Sequence, residues 1–256
     1  SIEACDGAGI RVIMITGDQA PTARYVARAV GIVKEMDAPV VRGSELRPPA
    51  QLSARETGEL RRVNIFARVS PQQKLDLIAL HQAQGHIVAM TGDGINDAPA
   101  LKKADIGVAM GRRGTQVARE VADVVLKDDA FHTIVVAIQE GRVIFGNIRK
   151  FVIYLLSCNI AEILAILVAS LFDWPLPILP LQILFLNLVT DVFPALALGM
   201  GEGDDGVMRR PPRPAGEALL PGRYWWPILA YAAYIAGATI AASSLAHGPL
   251  GISHET

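Results

Sequence analysis

Cysteine is scarce in this sequence, and histidine is scattered. Only two of the 256 residues are cysteines, Cys5 and Cys158, and they stand far apart in different predicted environments. A disulfide framework and a cysteine-rich zinc site are therefore excluded. The five histidines show no spacing typical of metal ligands, and the net charge of −1 provides no basic surplus for binding nucleic acid.

The composition is too apolar for an ordinary soluble domain and too charged for a bundle of membrane helices. Hydrophobic residues make up 51% and charged residues 19% of the chain, and the mean hydropathy is +0.33. Charge is concentrated in residues 1–150 and 202–223. We therefore predict a soluble part over residues 1–140 and a membrane part over residues 141–256. No signal peptide is visible, and the chain starts at Ser1 inside an apparent helix-to-strand unit, which predicts a fragment.

The segment Met90–Pro99 has the chemistry of a loop that binds phosphate and magnesium. The apolar run 87–90 predicts a buried strand, and turn residues follow it before a predicted helix over 98–103. Glycines at a strand's carboxyl end allow the backbone to approach a phosphate, while Asp93 and Asp97 supply the oxygen ligands that Mg²⁺ prefers. The alternative is a plain helix cap in which Asp97 binds free backbone N–H groups.

Two further strand, loop and helix units precede this loop. Arg11–Ile15 predicts a strand that ends in Thr16-Gly17-Asp18, and Pro21–Val30 predicts the helix after it. Asn64–Ala67 predicts a second strand, which is followed by a helix from Ser70-Pro71 to Gly85. Short strands at Asp105–Met110 and Asp123–Leu126 complete the alternating order of a parallel sheet. The polar segment 33–62 is interpreted as surface loop and helix.

Lys74 lies in the opening turn of the helix after Ser70, near the carboxyl edge of the predicted sheet. Most lysines are solvated, and that remains the alternative for this one. Because three loops meet at the same edge, we predict that Lys74 contacts a phosphate.

Three uncharged or nearly uncharged stretches are long enough to cross a membrane. They are predicted at about 151–172, 178–198 and 226–246, and about 20 residues suffice for a hydrocarbon core of roughly 30 Å. The short link 173–177 makes the first two spans a hairpin. Basic residues precede the first span and follow the second, while the hairpin tip has none. The soluble part is therefore predicted to be cytoplasmic.

Two predicted spans carry carboxylates that need an explanation. Glu162 and Asp191 would each cost about 2.5–3.5 kcal/mol near mid-membrane, even on the lenient insertion scale. Asn159 lies one helical turn before Glu162, and Asn187, Thr190 and Asp191 share one helix face. The two faces would offer several oxygens to a hard cation, with carbonyls loosened by prolines on the second span as further ligands. The alternative is a polar packing interface with protonated carboxyls.

Five ordered motifs resemble those of the P-type cation-transporting ATPases. They are Ile13–Asp18, Phe66–Pro71 with Lys74, the loop Met90–Pro99, Asp105–Gly111, and Asn187–Asp191. The resemblance implies an α/β haloacid dehalogenase-like (Rossmann-like) phosphorylation domain, present in part, followed by an α-helical transmembrane region. It also implies an ATP-driven pump that uses Mg²⁺ and ATP, with Ca²⁺ as the transported ion and the lipid bilayer as its surroundings.

The resemblance also assigns roles to individual residues. Asp93 would hold Mg²⁺, Asn96 and Asp97 would complete the hinge network, and Lys74 would bind the transferred phosphoryl group. The residues lining the same pocket would be Thr16, Gly17, Asp18, Gly92 and Gly94, and Arg68 would reach the nucleotide. The residues that match Ca²⁺ ligands of calcium-transporting members are Asn159, Glu162, Asn187, Thr190 and Asp191.

The sequence departs from the family at two places. The phosphorylated aspartate with its Asp-Lys-Thr-Gly-Thr motif is absent, as is a nucleotide-binding domain, so we expect the fragment alone to be inactive and to need the remainder of the pump. Ion ligands expected from other helices are also missing, which leaves a pump for another cation open. A membrane-anchored dehalogenase-like phosphatase and a non-catalytic ion-binding membrane protein stay open as two competing functions.

Overall fold

The computed structural model describes residues 1–204 and 206–247, and for Thr190 and His247 the backbone only. Its contacts divide the chain into two compact units. The first contains Ser1–Gln139 together with 206–216, and the second contains 140–204 together with 217–247. The predicted domain boundary near residue 140 stays a prediction.

The first unit contains two parallel sheets of three strands each. The first sheet has the order β1-β3-β2 and the second has the order β4-β5-β6. The strands are β1 (Met14–Thr16), β2 (Val40–Arg42), β3 (Ile65–Ala67), β4 (Ala89–Gly92), β5 (Ile106–Met110) and β6 (Val124–Leu126). The central strand β3 is fully buried, as a parallel strand covered on both faces should be.

Short helices connect these strands. They are α1 (Ile2–Gly7), α2 (Ala20–Ala29), α3 (Ala54–Leu60), α4 (Pro71–Gln82), α5 (Ala98–Lys103) and α6 (Gln116–Val121). The start of α4 confirms the cap predicted at Ser70, whose hydroxyl accepts from the backbone N–H of Gln73. The predicted helix over 98–103 is also confirmed.

Several sequence predictions for this unit are wrong in detail. The buried strand predicted over 87–90 is strand β4 over Ala89–Gly92, in which Ala89 and Thr91 are exposed. Strand β1 begins at Met14 rather than Arg11, and the Arg11 side chain donates to Asn64 Oδ1 at 2.7 Å. Strand β2 lies within a segment interpreted as loop and helix, where only three residues pair with β3. A strand this short carries no alternating pattern that a sequence could display.

The second unit is built from apolar helices, the first of which begins within the first unit. They are α7 (Phe131–Leu171), α8 (Pro180–Phe185), a π-helical turn (Leu186–Thr190), α9 (Val192–Gly199) and α10 (Trp225–His247). By length and composition, α7, the segment Pro180–Gly199 and the segment Gly222–Ala246 could each cross a membrane. Helix α7 has 41 residues and begins 20 residues before the predicted span, which makes it roughly 60 Å long.

Small residues bring α7 and α10 close together. Ala161 and Ala165 of α7 pack against Ala232 and Ala236 of α10, and all four are buried. Alanine pairs of this kind let helix backbones approach closely, which is how helices associate where lipid removes the hydrophobic driving force.

Two polar side chains of α7 hold the segment that follows α9. Buried Asn147 donates to the carbonyl of Gly201 at 2.6 Å, close to the end of α9. Arg149 donates to the carbonyl of Leu219 at 2.9 Å and contacts Glu217 at 3.3 Å. These contacts fix the carbonyl end of α9 and the loop after it to one stretch of α7.

Candidate functional site

The loops after β1 and β3 are bonded to each other at the carboxyl edge of the first sheet. The backbone N–H of Arg68 donates to the Asp18 carbonyl at 3.1 Å, and that of Val69 donates to the Thr16 carbonyl at 3.2 Å. Within the first loop, Thr16 Oγ1 donates to Asp18 Oδ2 at 3.0 Å. The structure therefore brings together Thr16, Asp18 and the backbone of Arg68.

Arg68 occupies a constrained backbone position in this arrangement. Its φ is +53°, a left-handed conformation that a non-glycine residue rarely adopts. Its side chain is exposed, so the strain arises in the backbone rather than from packing. Such positions persist where surrounding contacts over-determine them, which is typical of binding loops.

The loop after β2 is tied to α4, and α4 is tied in turn to the loop after β4. Gln73 Nε2 donates to the Gly43 carbonyl at 2.7 Å. One residue later, Lys74 Nζ lies 2.5 Å from Asp97 Oδ1. The side chains of Lys74 and Asp97 are only 16% and 13% exposed, so this ion pair is well shielded from solvent.

In the loop Met90–Pro99, the hinge loop, Gly92 leaves room for the Asp97 side chain. A Cβ on Gly92 would lie 2.5 Å from the Cβ of Asp97, so only glycine fits there. The backbone N–H of Gly94 donates to Asp97 Oδ2 at 3.3 Å. Asp97 is therefore held by Lys74 on one oxygen and by the loop backbone on the other, and it does not cap α5 with its side chain.

Asp93 and Asn96 of the same loop are exposed. The Asp93 carbonyl accepts from the Thr115 backbone N–H at 2.8 Å, while its carboxylate makes no hydrogen bond within the described residues. Gly17 and Asp18 are exposed as well. An exposed carboxylate at a strand end fits a Mg²⁺ that keeps most of its water and phosphate ligands. Among the residues that the structure describes, no three His, Cys, Asp or Glu side chains cluster.

Asp129 organises the loop after β5, a role that no sequence pattern indicated. Its carboxylate accepts from the backbone N–H groups of Gly111 at 2.7 Å, Arg112 at 3.0 Å and Arg113 at 2.8 Å. These hydrogen bonds, the one from Arg112 first, favour the charged carboxylate and hold the pKa of Asp129 below its ordinary value. The Asp129 carboxylate therefore fixes the loop that follows β5, and β5 pairs with β4, the strand that leads into the hinge loop.

In the second unit, two hydrogen bonds join α7 to the segment after α8. Asn187 Nδ2 donates to Glu162 Oε2 at 3.3 Å, and the Tyr154 hydroxyl donates to Asp191 Oδ1 at 3.2 Å. Asp191 is 7% exposed, and its Oδ2 is buried without a partner among the described residues. The structure thus brings Glu162 to Asn187, and it adds Tyr154 to the predicted set.

Asn159 and Thr190 differ from the other predicted ion ligands. Asn159 is exposed, and its amide nitrogen donates to the Leu155 carbonyl of its own helix at 2.8 Å. The Thr190 side chain lies outside the described residues. A hydrogen bond to the preceding turn is the usual outcome for a polar side chain on a helix face without a partner helix.

The backbone before Asp191 is irregular, and the prolines contribute less than expected. Leu186–Thr190 forms a π-helical turn, and the Asp191 N–H donates to the Leu186 carbonyl at 3.0 Å. Pro180 is the first residue of α8, where it disturbs no helical hydrogen bond, and Pro194 lies in the first turn of α9. Single π-helical turns are frequent at functional sites.

Comparison with known proteins identifies relatives of both units. Residues 2–105 and 76–138 match two family models described as haloacid dehalogenase-like hydrolase, and residues 175–256 match a model described as cation transporting ATPase, C-terminus. These matches confirm the predicted fold class.

Three curated proteins illustrate the similarity. A calcium-transporting ATPase of Bacillus subtilis is 47% identical over 243 residues, which is 94% of this chain and 27% of that protein. Endoplasmic reticulum calcium ATPase srcA of Aspergillus fumigatus is 46% identical over 241 residues, with 94% and 25% covered. P-type sodium-transporting ATPase4 of Toxoplasma gondii is 47% identical over 235 residues, with 88% and 18% covered. The chain spans between 18% and 27% of the length of these relatives.

Proposed function

The chain belongs to the P-type cation-transporting ATPases, and from this premise we propose that it is part of an ATP-driven pump that exports Ca²⁺ from the cytoplasm through a phosphoenzyme. One observation carries the proposal. The same chain holds a shielded Lys74–Asp97 pair beside a glycine loop at a strand end, and two carboxylates, the buried Asp191 and the half-buried Glu162, in apolar segments long enough to cross a membrane. A membrane-anchored phosphatase needs no carboxylates within its membrane anchor, and a non-catalytic ion-binding membrane protein needs no shielded Lys74–Asp97 pair beside a glycine loop.

In the proposed cycle, the edge formed by the loops after β1, β3 and β4 receives the phosphoryl group. Lys74 neutralises charge on that group, while Asn96 and Asp97 maintain the loop. Asp93 holds Mg²⁺, which supplies positive charge at the phosphoryl oxygens when bound. Thr16, Gly17, Asp18, Gly92 and Gly94 line the pocket. Catalysis in such a site consists of positioning and charge stabilisation rather than covalent chemistry by these residues.

The nucleophile and the nucleotide-binding region must come from the rest of the full-length protein. Strand β1 pairs with β3 and strand β4 pairs with β5, and among the described residues neither has a second neighbour. Both strands therefore leave a row of backbone groups open to a further strand. We propose that a strand from the remainder of the pump fills this position and brings the phosphorylated aspartate to the same sheet edge, with ATP reached by Arg68.

The proposed cation site lies between α7 and the segment around Asp191. Glu162, Asn187, Thr190 and Asp191 offer carboxylate, amide and hydroxyl oxygens, the donor type that suits a hard cation such as Ca²⁺. Asn159 would bind the cation only if its amide breaks the hydrogen bond to the Leu155 carbonyl. Basic residues flank the hydrophobic stretches on one side, including Arg149 before the first and Arg223 before the third, which supports a multi-pass protein with its α/β unit in the cytoplasm.

The phosphatase alternative lacks its own nucleophile in this chain. Residues 1–60 contain no Asp-x-Asp motif, which such an enzyme needs after an early strand. No observation on the described residues favours it over the pump.

The proposal is tested with the full-length protein in sealed vesicles. ATP should drive uptake of radioactive Ca²⁺, and the matched variant Asp93→Asn should abolish uptake while inserting normally. Uptake of Na⁺ in place of Ca²⁺ would support an ATP-driven cation pump but would show that the transported ion is Na⁺. ATP hydrolysis that no cation stimulates, without uptake of either ion, would refute the proposal.

A further inference from the structure

The Asp191 carboxylate is held on one side and unsatisfied on the other. Oδ1 accepts the Tyr154 hydroxyl at 3.2 Å, and Oδ2 is buried with no hydrogen-bond partner among the described residues. Asp191 precedes α9, but its side chain does not cap the N–H groups of that helix. A buried carboxylate oxygen without a hydrogen-bond partner is costly, so it marks a position where a ligand would supply the missing contact.

Tyr154 is the group that determines which oxygen stays open. It lies on α7 two helical turns before Glu162, whereas Asp191 lies beyond the π-helical turn of the next segment. The hydrogen bond therefore crosses between two helices and fixes the rotation of the carboxylate about its own axis.

Ser157 provides an internal comparison on the same helix. It is also buried, at 4% exposure, but its hydroxyl donates to the Ile153 carbonyl of its own helix at 2.8 Å. That bond satisfies Ser157 locally and reaches no carboxylate. The Tyr154 hydroxyl is instead directed across to Asp191.

We propose that Tyr154 is a positioning residue of the cation site, whose hydroxyl occupies one oxygen of Asp191 and presents the other to the transported cation. The inference rests on the proposed function, since it presumes that Asp191 binds the cation. It assigns Tyr154 no contact with the phosphoryl group or with ATP.

The test uses equilibrium binding of radioactive Ca²⁺ to the full-length protein, so that no catalytic step enters the readout. Tyr154→Phe removes only the hydroxyl and should weaken Ca²⁺ affinity roughly tenfold without changing the number of sites. Ser157→Ala removes a buried hydroxyl of the same helix and should leave the affinity unchanged. Tyr154→Met removes the hydroxyl and the ring together, and it should behave like Tyr154→Phe because the hydroxyl is the group that matters.

A further arm asks whether Tyr154 acts through Asp191. In the background of Asp191→Asn, Tyr154→Phe should alter the residual affinity by less than about twofold, because coupled residues do not contribute twice. A full additional loss in that background would overturn the inference. Thermal unfolding of both hydroxyl variants, measured without Ca²⁺, shows whether each protein is folded.

The outcomes separate this inference from the proposed function. Wild-type affinity in Tyr154→Phe, with loss of binding in Asp191→Asn, would refute the role of Tyr154 and keep the cation site. Wild-type affinity in both variants would refute the cation site itself, and the role of Tyr154 with it.

Discussion

Lys74 Nζ lies 2.5 Å from Asp97 Oδ1, and both side chains are mostly buried. Lys74 belongs to the helix after β3, and Asp97 belongs to the loop after β4, so the pair joins the first three-stranded sheet to the second. A second contact joins the same two parts of the unit: Gln82 Nε2 of α4 donates to the carbonyl of Lys103 in α5 at 3.1 Å. The residue proposed to bind the phosphoryl group therefore also sets the relation between the two strands that end at the site.

Removing one partner of this pair should affect both stability and phosphorylation. In the full-length protein, Lys74→Met should lower the free energy of unfolding of the α/β unit by about 1–3 kcal/mol, because the buried Asp97 charge loses its partner. Phosphoenzyme formation should fall as well. Chemical denaturation and phosphorylation by labelled ATP measure the two effects.

An exposed ion pair gives the matched control. Arg55 and Glu59 lie 2.9 Å apart with side chains 89% and 64% exposed. Arg55→Ala should change the free energy of unfolding by no more than about 0.5 kcal/mol. Equal effects of Lys74→Met and Arg55→Ala would show that burial of the Lys74–Asp97 pair is unimportant.

Asp93 should matter for chemistry and little for folding. It is exposed, and its carboxylate makes no hydrogen bond within the described residues. Asp93→Asn in the full-length protein should reduce phosphoenzyme formation by about 100-fold or more through loss of the Mg²⁺ ligand. Its thermal unfolding should match that of the wild type. Normal phosphoenzyme levels in the folded variant would remove Asp93 from the site.

The chain by itself should hydrolyse no ATP. General positioning by Lys74 and Asp93 cannot replace an absent nucleophile. Release of phosphate from ATP by the purified chain should equal that of a matched Asp93→Ala preparation. Release that needs Mg²⁺ and disappears in Asp93→Ala would instead support the phosphatase alternative.

His81 should make the α/β unit sensitive to acid. Burial, together with the charges of Arg11, His86 and Arg61, lowers the pKa of His81 from its ordinary value near 6.5. Because the unfolded chain then binds a proton more readily than the folded one, stability should fall as the pH drops below about 6.5. Urea denaturation at pH 7.5 and 5.5 should show a smaller loss in His81→Gln than in the wild type.

The exposed His132 serves as the control for this experiment. His132→Gln should retain the acid sensitivity of the wild type. An identical pH dependence in His81→Gln and in His132→Gln would show that His81 does not contribute.

The sequence predicted those parts of the molecule that local chemistry determines. The cap at Ser70, helix α5 and the glycine loop before it follow from residues adjacent in the chain. Strand β2 was missed because three residues form it only by pairing with β3. Asp129 and Tyr154 were missed for a related reason, since each acts on residues at least sixteen positions away.

The membrane residues illustrate the same limit. Glu162 and Asp191 could be identified from the cost of a carboxylate in an apolar stretch, which is a property of the sequence. Which neighbours satisfy them depends on the rotation of α7, which a mostly apolar helix with few polar side chains does not specify. The structure pairs Glu162 with Asn187 and leaves Asn159 bonded to its own helix.

Equilibrium Ca²⁺ binding to the full-length protein tests the central claim most directly. Glu162→Gln and Asp191→Asn should each severely weaken binding and leave a measurable residual affinity, because both carboxylates are proposed to contact the ion. Asp173→Asn changes an exposed carboxylate between α7 and α8 and should bind as the wild type does. If all three variants bind Ca²⁺ with wild-type affinity and stoichiometry, the buried carboxylates serve packing alone, and the assignment of the transport site is wrong.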